Sequence, residues 1–357
     1  MIKISEVYMD DEIKKAVMEV LDSGWFIHGK KIDKFENKFA EFVGTKYAIG
    51  VSNGTTAIQS VLEAICLKEG NEVLVPSHTA FPTIEPILQL KAKPVFVDID
   101  KDTYTVDIKD LKNKITNKTK AIMPVHLYGH PADLDPIIEL CEEKGIYLIE
   151  DCCQAHGAKY KNKRVGSYGI GGCFSFYPSK NLTVCGDGGM VTTNNKEIDE
   201  KIRMIRFHGS NQRFKHEILG HNYRLSEISA AIGIKQLEHL PKFTERRREI
   251  ANTYIKNLSH LDIELPLEKE WAEHVYHLFV IRTNKRDELQ KHLNSKEIMT
   301  GVHYPIPSHQ QPIVMDNITL PTTEKYVEEI LSLPMHPLLS DEDVECVTNH
   351  IIGFFKK

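Results

Sequence analysis

Residues 146–158 read IYLIEDCCQAHGA. The run Ile146–Ile149 is apolar, has strand length and follows a helical pattern over Leu134–Lys144 closed by Gly145. A short apolar run without polar alternation predicts a strand covered on both faces. Asp151 stands just beyond it. A buried strand after a helix is the repeating unit of a parallel α/β sheet, and such sheets gather ligands beyond the carboxyl ends of their strands.

The same alternation extends in both directions. Upstream, the spacing predicts helices over 9–23, capped by Gly24, and over Ile32–Val43, then a strand at Tyr47–Val51. A helix over Thr55–Leu67, a strand at Glu72–Val75, a helix over Thr83–Leu90 and strands at Pro94–Val97 and Ala121–Val125 follow. Downstream lie strands at Cys173–Tyr177 and Gly189–Thr192. The predicted fold class is α/β, a mainly parallel sheet with helices on both faces, followed by a smaller C-terminal α+β domain. A helix over Leu225–Leu240 is expected to stop at Pro241, and a separate basic helix, Phe243–Leu258, to connect the domains. The expected division is residues 1–242 for the large domain and 243–357 for the small one, the latter with a strand at Val275–Ile281 and helices over Arg286–Asn294 and Asp341–Phe355.

With 357 residues, two domains are the natural expectation. Hydrophobic residues at 41% and charged residues at 27% fit a globular protein in water. A net charge of −5 argues against a protein that blankets nucleic acid. No apolar run nears the length of a membrane helix, and no signal peptide is visible. Seven cysteines, odd in number and irregularly spaced, read as reduced and mostly buried thiols of a cytoplasmic protein. No Cys-x-x-Cys pair exists, so no metal site is expected.

Three strand ends carry candidate chemistry. Asp151 is either a turn carboxylate capping the next segment or one that keeps a heterocyclic nitrogen protonated. Residues 173–180, CFSFYPSK, place Lys180 after a buried strand. Partial desolvation there would free a neutral amine for Schiff-base chemistry; otherwise Lys180 is a solvated loop charge. Residues 52–57, SNGTTA, open a helix after a strand, which makes either an anion site or an ordinary N-cap.

In this order and spacing, the segments resemble the pyridoxal-phosphate (PLP) dependent sugar aminotransferases of the DegT/DnrJ/EryC1/StrS family. The resemblance spans nearly the whole chain. It includes Ser23–Ile27, Asn53–Thr55, Pro76–Thr79, Val125–Gly129, Glu150–Asp151 with Gln154–Ala155, Phe174–Phe176 with Lys180, Gly186–Gly189, Gly220–Arg224, Val302–Pro305 and Leu331–Pro334. It implies the aspartate aminotransferase-like fold of type I. It implies that Lys180 forms the aldimine with PLP, that Asp151 partners the pyridine nitrogen, and that Gln154 lies near the ring. Gly54, Thr55 and Ser175 match the phosphate cradle. Asn222 matches a residue reaching the phosphate from a neighbouring subunit, so a homodimer with a shared active site is implied. The implied reaction moves an amino group from an amino acid, L-glutamate, to a keto sugar carried on a nucleotide.

The chain departs from that pattern in places. Ala80 stands where the family commonly stacks an aromatic residue on the ring, which leaves His78, Phe81 or another group to cover it. Ile170 replaces a common Asp, Cys152 and Cys153 replace small residues, and Asp187 replaces a common Glu. Lys180 is retained, unlike in the variant where histidine replaces it and dehydration replaces transamination. Readings kept open are a keto-cyclitol acceptor and a non-catalytic sensor or scaffold. His303-Tyr304 is either packed structure or part of the sugar pocket. Gly24–Lys30 is no P-loop, since Lys31 follows and a helix precedes it. The run Arg246–Arg248 is expected to be a solvated helix face.

Overall fold

The apolar runs assemble into a seven-stranded sheet in the computed structural model, which describes residues 1–212, 214–314 and 316–356. Across the sheet the strands are Tyr47–Val51, Gly189–Thr193, Gly171–Ser175, Tyr147–Asp151, Thr119–Ile122, Glu72–Pro76 and Lys93–Val97. The last five run parallel. Gly189–Thr193 is antiparallel to both its neighbours.

Side chains alternate between faces along each strand, and both faces are covered. Val73, Val75, Ile149, Cys173 and Val191 pack with the helix Gly54–Ala64 and with Ile198, Ile202 and Ile205 of the helix Lys196–Ile205. Their strand neighbours point the other way. Phe174 and Met190 meet Phe35 and Phe39 of the helix Lys30–Val43, while Leu74 and Leu148 meet Ile137 and Leu140 of the helix Asp135–Lys144. This two-sided cover explains why the strands read as continuous apolar runs.

Buried carboxylates fix the outer helices. Glu36 accepts from the Gly50 backbone and from Arg203 and Arg206. Glu227 accepts from the backbone N–H groups of Gly29, Lys31 and Ile32, supplying the N-terminus of Lys30–Val43 with its missing acceptors. Gly24 takes a left-handed conformation as the cap of the helix Asp11–Ser23, as read from the sequence.

A single helix, Glu227–Leu258, replaces the expected pair broken at Pro241. Its buried face continues through the proline, with Leu237 and Leu240 in the core of the sheet domain and Ile250, Tyr254 and Leu258 in a second core. Burial on both sides of Pro241 outweighs the one backbone bond the ring removes. The second core also contains the antiparallel strands Phe279–Arg282 and Ile330–Leu333 and the helices Arg286–Asn294 and Asp341–Phe355. The expected strand Val275–Ile281 is shortened, because residues 275–278 run along the sheet domain instead, with Val275 N donating to Gly129 O and Leu278 N to Tyr128 O.

The run Arg246–Arg248 is not a solvated face. Arg247 is buried against the carbonyls of Tyr276, His277 and Met335, and its neighbours pair with carboxylates. All seven cysteines are free thiols, but only Cys141, Cys152 and Cys173 are buried, Cys153 is half-buried, and Cys66, Cys185 and Cys346 are exposed. No helix of the described residues is long and apolar enough to cross a membrane.

Candidate active site

Beyond the carboxyl ends of the parallel strands lies a cavity of about 370 Å³, within the range that accepts a small organic cofactor. Gly54, Thr55, Asp151, Gln154, Ser175 and Lys180 all line it, so six of the eight residues singled out from the sequence converge there.

The helix Gly54–Ala64 points its N-terminus at the cavity. Asn53 caps it, accepting from Thr56 N at 2.8 Å, while Thr56 Oγ1 accepts from Asn53 N at 3.1 Å. This capping box leaves the Gly54 and Thr55 N–H groups free for an anion, in the positive field of the helix terminus. A side chain at position 54 would put Cβ 2.7 Å from Ser175 Cβ and 3.0 Å from Cys153 Sγ. Glycine is therefore what lets this helix approach the end of the strand Gly171–Ser175, bringing the Ser175 hydroxyl beside the helix terminus.

Asp151 is buried at the end of its strand. Thr83 Oγ1 donates to its Oδ2 at 2.8 Å and Cys153 N donates to its Oδ1 at 3.0 Å. Thr79 faces Thr83, hydroxyl to hydroxyl, at 2.9 Å. Each carboxylate oxygen thus keeps a lone pair for a further donor.

Lys180 follows the turn Tyr177–Ser179, where its backbone N donates to Tyr177 O at 2.8 Å. Burial pulls its amine below the ordinary lysine value, and Cys153 and Asp151 pull it part of the way back. Three imidazoles lie within electrostatic reach. His156 has both ring nitrogens unpartnered between Phe174 and Phe176, and burial pushes it down to about 3. Burial also holds His277 and His303 below the usual histidine range, with Lys180 adding to the effect. Neutral rings against an amine do not add repulsion.

Gln154 is clamped at both ends. Its Oε1 accepts from Tyr128 N at 2.8 Å, and its Nε2 donates to Tyr304 Oη at 3.0 Å. The second Nε2 hydrogen remains available. Tyr304 thus packs against Gln154, though neither His303 nor Tyr304 lines the cavity.

Two predicted residues lie elsewhere. His78 is buried outside the cavity with its Nε2 2.6 Å from Tyr128 Oη. Tyr128 O–H donates to His303 O, so His78 Nε2 carries the hydrogen and Nδ1 is the unpartnered atom. This imidazole is committed to the tyrosine and does not cover a ring in the cavity; Phe81 is not in the lining either, whereas Ala80 is. Asn222 is exposed and outside the cavity.

The sequence reading missed Thr83, whose signal is absent because it lies inside a short helical region, and the contribution of Cys153 to the cavity wall. A possible ligand cluster, His126, Glu150 and Cys152, has its donor atoms within 4.8 Å of one another. Its chemistry is already committed. Glu150 accepts from Gly166, Tyr168 and Gly169 N–H, and His126 Nδ1 accepts from Ala132 N, leaving Nε2–H for Glu150.

The cavity fits PLP on these observations. It offers a helix terminus with hydroxyls for a phosphate, a fixed carboxylate for a protonated ring nitrogen, and an amine that no hydrogen bond or ion pair engages among the described residues.

A model of the DegT/DnrJ/EryC1/StrS aminotransferase family matches residues 7–352. A dTDP-3-amino-3,6-dideoxy-alpha-D-galactopyranose transaminase from Aneurinibacillus thermoaerophilus is 42% identical, with 95% of this chain and 94% of that protein covered. A "pleiotropic regulatory protein" from Geobacillus stearothermophilus is also 42% identical, over 100% of this chain and 98% of its own length. The crystal structure of S. venezuelae DesV in complex with a ketimine intermediate superposes with a TM-score of 0.95 at 39% identity, covering 97% of this chain and 95% of that one. NtdA from Bacillus subtilis, solved with bound cofactor PMP, superposes with a TM-score of 0.92 at 32% identity, covering 99% and 86%.

Proposed function

Because the chain belongs to the DegT/DnrJ/EryC1/StrS aminotransferase family, we propose that it moves an amino group from an amino acid, L-glutamate, onto the carbonyl carbon of a nucleotide-linked keto sugar. It is a PLP-dependent transaminase. The observation that carries the site assignment is the convergence of a desolvated Lys180, a fixed Asp151 and the N-terminus of Gly54–Ala64 on one cavity.

Bound there, PLP supplies an electron sink for the bond broken at the donor's α-carbon. Lys180 is the residue that holds it covalently. Burial keeps more of the Lys180 amine neutral than in water, so Nζ can attack a carbonyl and act as a base. Nζ takes the proton from the donor α-carbon, and in the second half of the exchange it delivers one to the sugar carbon that gains nitrogen. Asp151 would hold the ring nitrogen with the lone pairs that Thr83 and Cys153 leave open. Gly54, Thr55 and Ser175 hold the phosphate. Gln154 forms a rigid wall with one spare N–H.

Residues 1–242 form the cofactor-holding domain and 243–357 the smaller one; the core around Ile250, Tyr254 and Leu258 supports this division, although one helix joins the two and Leu278, Val280, Tyr326 and Ile330 pack with Val125 and Leu127. Asn222 reaches the cavity of a second copy, which makes the active form a homodimer. Its exposure, and the exposed apolar side chains Trp25, Phe26, Ile27 and Leu219, support this. Mixing inactive Lys180→Ala with Asn222→Ala chains should restore activity in hybrid dimers beyond either parent; no restoration would sink the shared site.

Absorbance of the protein with added PLP, before and after L-glutamate, tests the first half-reaction. A cofactor band that glutamate shifts supports the reading. A band that glutamate leaves unmoved removes that donor, and no band favours a non-catalytic role such as the name of the Geobacillus relative suggests.

A further inference from the structure

No bond of its own amine holds Lys180, so its neighbour decides where it stands. Asn181 is buried, and its Nδ2 donates to Val275 O at 3.1 Å. A carbonyl oxygen only accepts, which fixes the amide with its nitrogen toward Val275 and its oxygen toward His277. His277 Nδ1 lies 3.1 Å from that oxygen and must carry the ring hydrogen. Asn181 is thus tied twice to a segment 94–96 positions away in sequence.

That segment is itself braced. Arg247, buried on the helix that joins the two cores, places Nη1 at 3.1, 3.2 and 2.9 Å from the carbonyls of Tyr276, His277 and Met335. On its other side, Val275 N and Leu278 N donate to Gly129 O and Tyr128 O, and Tyr128 N donates to Gln154 Oε1. Residues 275–278 therefore stand between the loop that carries Lys180 and the turn that orients Gln154.

We propose that His277 is a positioning residue for amine transfer, which through Asn181 sets where the Lys180 amine stands and keeps it in register with Gln154. This rests on Lys180 being the lysine that holds PLP. The His277 ring does not titrate in the working range, since burial, Lys180 and Arg247 all hold it neutral; its part is geometric.

The imidazole offers a sharp test. Asparagine places an amide nitrogen where Nδ1 stands, whereas glutamine places one where Nε2 stands. His277→Asn should keep kcat near that of the parent. His277→Gln and Asn181→Ala should lower kcat by about 10-fold or more with KM changed little, as misplacement of a reacting group does. Visible circular dichroism of the loaded protein should change with Gln and Ala at this pair but not with His277→Asn, and melting of the cofactor-free proteins reports folding separately. Equal behaviour of His277→Asn and His277→Gln in kcat and dichroism overturns the proposal, as does a loss that follows melting temperature alone. If the parent loads PLP and turns over while all three variants match it, the brace fails and the Lys180 assignment stands. If the parent loads no cofactor, both fail.

Discussion

Thr83 Oγ1 donates to Asp151 Oδ2 at 2.8 Å, and both side chains are buried. A buried carboxylate oxygen left without a donor is costly, and this contact supplies one. Thr83→Val preserves shape and deletes the donor, at a cost of about 1–3 kcal/mol for the under-satisfied group. The expected result is a kcat lowered by about 10-fold, because the carboxylate is no longer held in place by Thr83. Steady-state kinetics would show it, and a parental kcat would refute it.

Removing the carboxylate charge goes further. Asp151→Asn keeps the packing and the Thr83 contact but loses the partner for a protonated ring nitrogen. A loss of about 10²-fold or more in kcat is expected, of the size electrostatic deletions reach in buried sites, with the fold unchanged by circular dichroism. Unchanged kinetics would remove Asp151 from its proposed role.

Lys180 combines two outcomes. Lys180→Met should abolish turnover. It should also stabilise the cofactor-free protein at neutral pH, because the native amine is desolvated and its value depressed. The unfolded chain then binds the proton more tightly, so the native state is penalised at low pH and relieved as pH rises toward the unfolded value of about 10.4. The melting advantage of the methionine variant should therefore shrink on going from pH 7 to pH 10. An advantage that grows with pH would contradict the depressed amine.

Gly54→Ala forces Cβ against Ser175 Cβ and Cys153 Sγ. Overpacking of this kind costs about 1–3 kcal/mol. The helix terminus must back away, so PLP affinity measured by fluorescence should fall by about 10-fold. Ser175→Ala in the same background would remove Oγ but leave the Cβ contact, so it should not restore binding.

Acid should unfold the protein through its buried imidazoles. Burial lowers His78 and His130 to about 4 and His156 to about 3. As pH falls from about 6.5 the unfolded chain takes up these protons first, and stability drops by about 1.4 kcal/mol per pH unit for each until the folded rings protonate. His130 is a good probe. Its Nδ1 faces Pro131 O and its Nε2 accepts from Lys269 N, so a second ring hydrogen has nowhere to go. Denaturant titrations from pH 7 to 4 should show a shallower decline in His130→Asn.

The loops that line the cavity were legible because each follows a buried strand: Ser52–Thr56, Ser77–Ala80, Asp151–Gln154 and Pro178–Lys180. Local pattern also located Arg286–Asn294 and Asp341–Phe355. What stayed hidden depends on partners far apart in sequence. Nothing around Thr83 signals Asp151, nothing around His277 signals Asn181, and Gln154 meets Tyr304 across 150 positions. The helices Ile108–Lys114 and Lys196–Ile205 escaped notice, and Pro241 suggested a break that packing on both sides overrules. His78 was misplaced because a histidine beside a strand end looks the same whether it faces a ligand or a tyrosine.

Among the described residues the strand Tyr47–Val51 finds its only sheet neighbour in Gly189–Thr193, with Tyr47 opposite Thr193. A ribosome delivers the chain from its N-terminus, at about 5–20 residues per second. The first strand therefore emerges many seconds before the one that shelters its edge, and its amides must wait in water or on a chaperone. Ile4, whose carbonyl accepts from Met335 N, waits longer still. The order in which this molecule is made is not the order in which it can close, and a stalled or truncated nascent chain lacking residues 189–193 would present an unpaired β edge to whatever lies nearby.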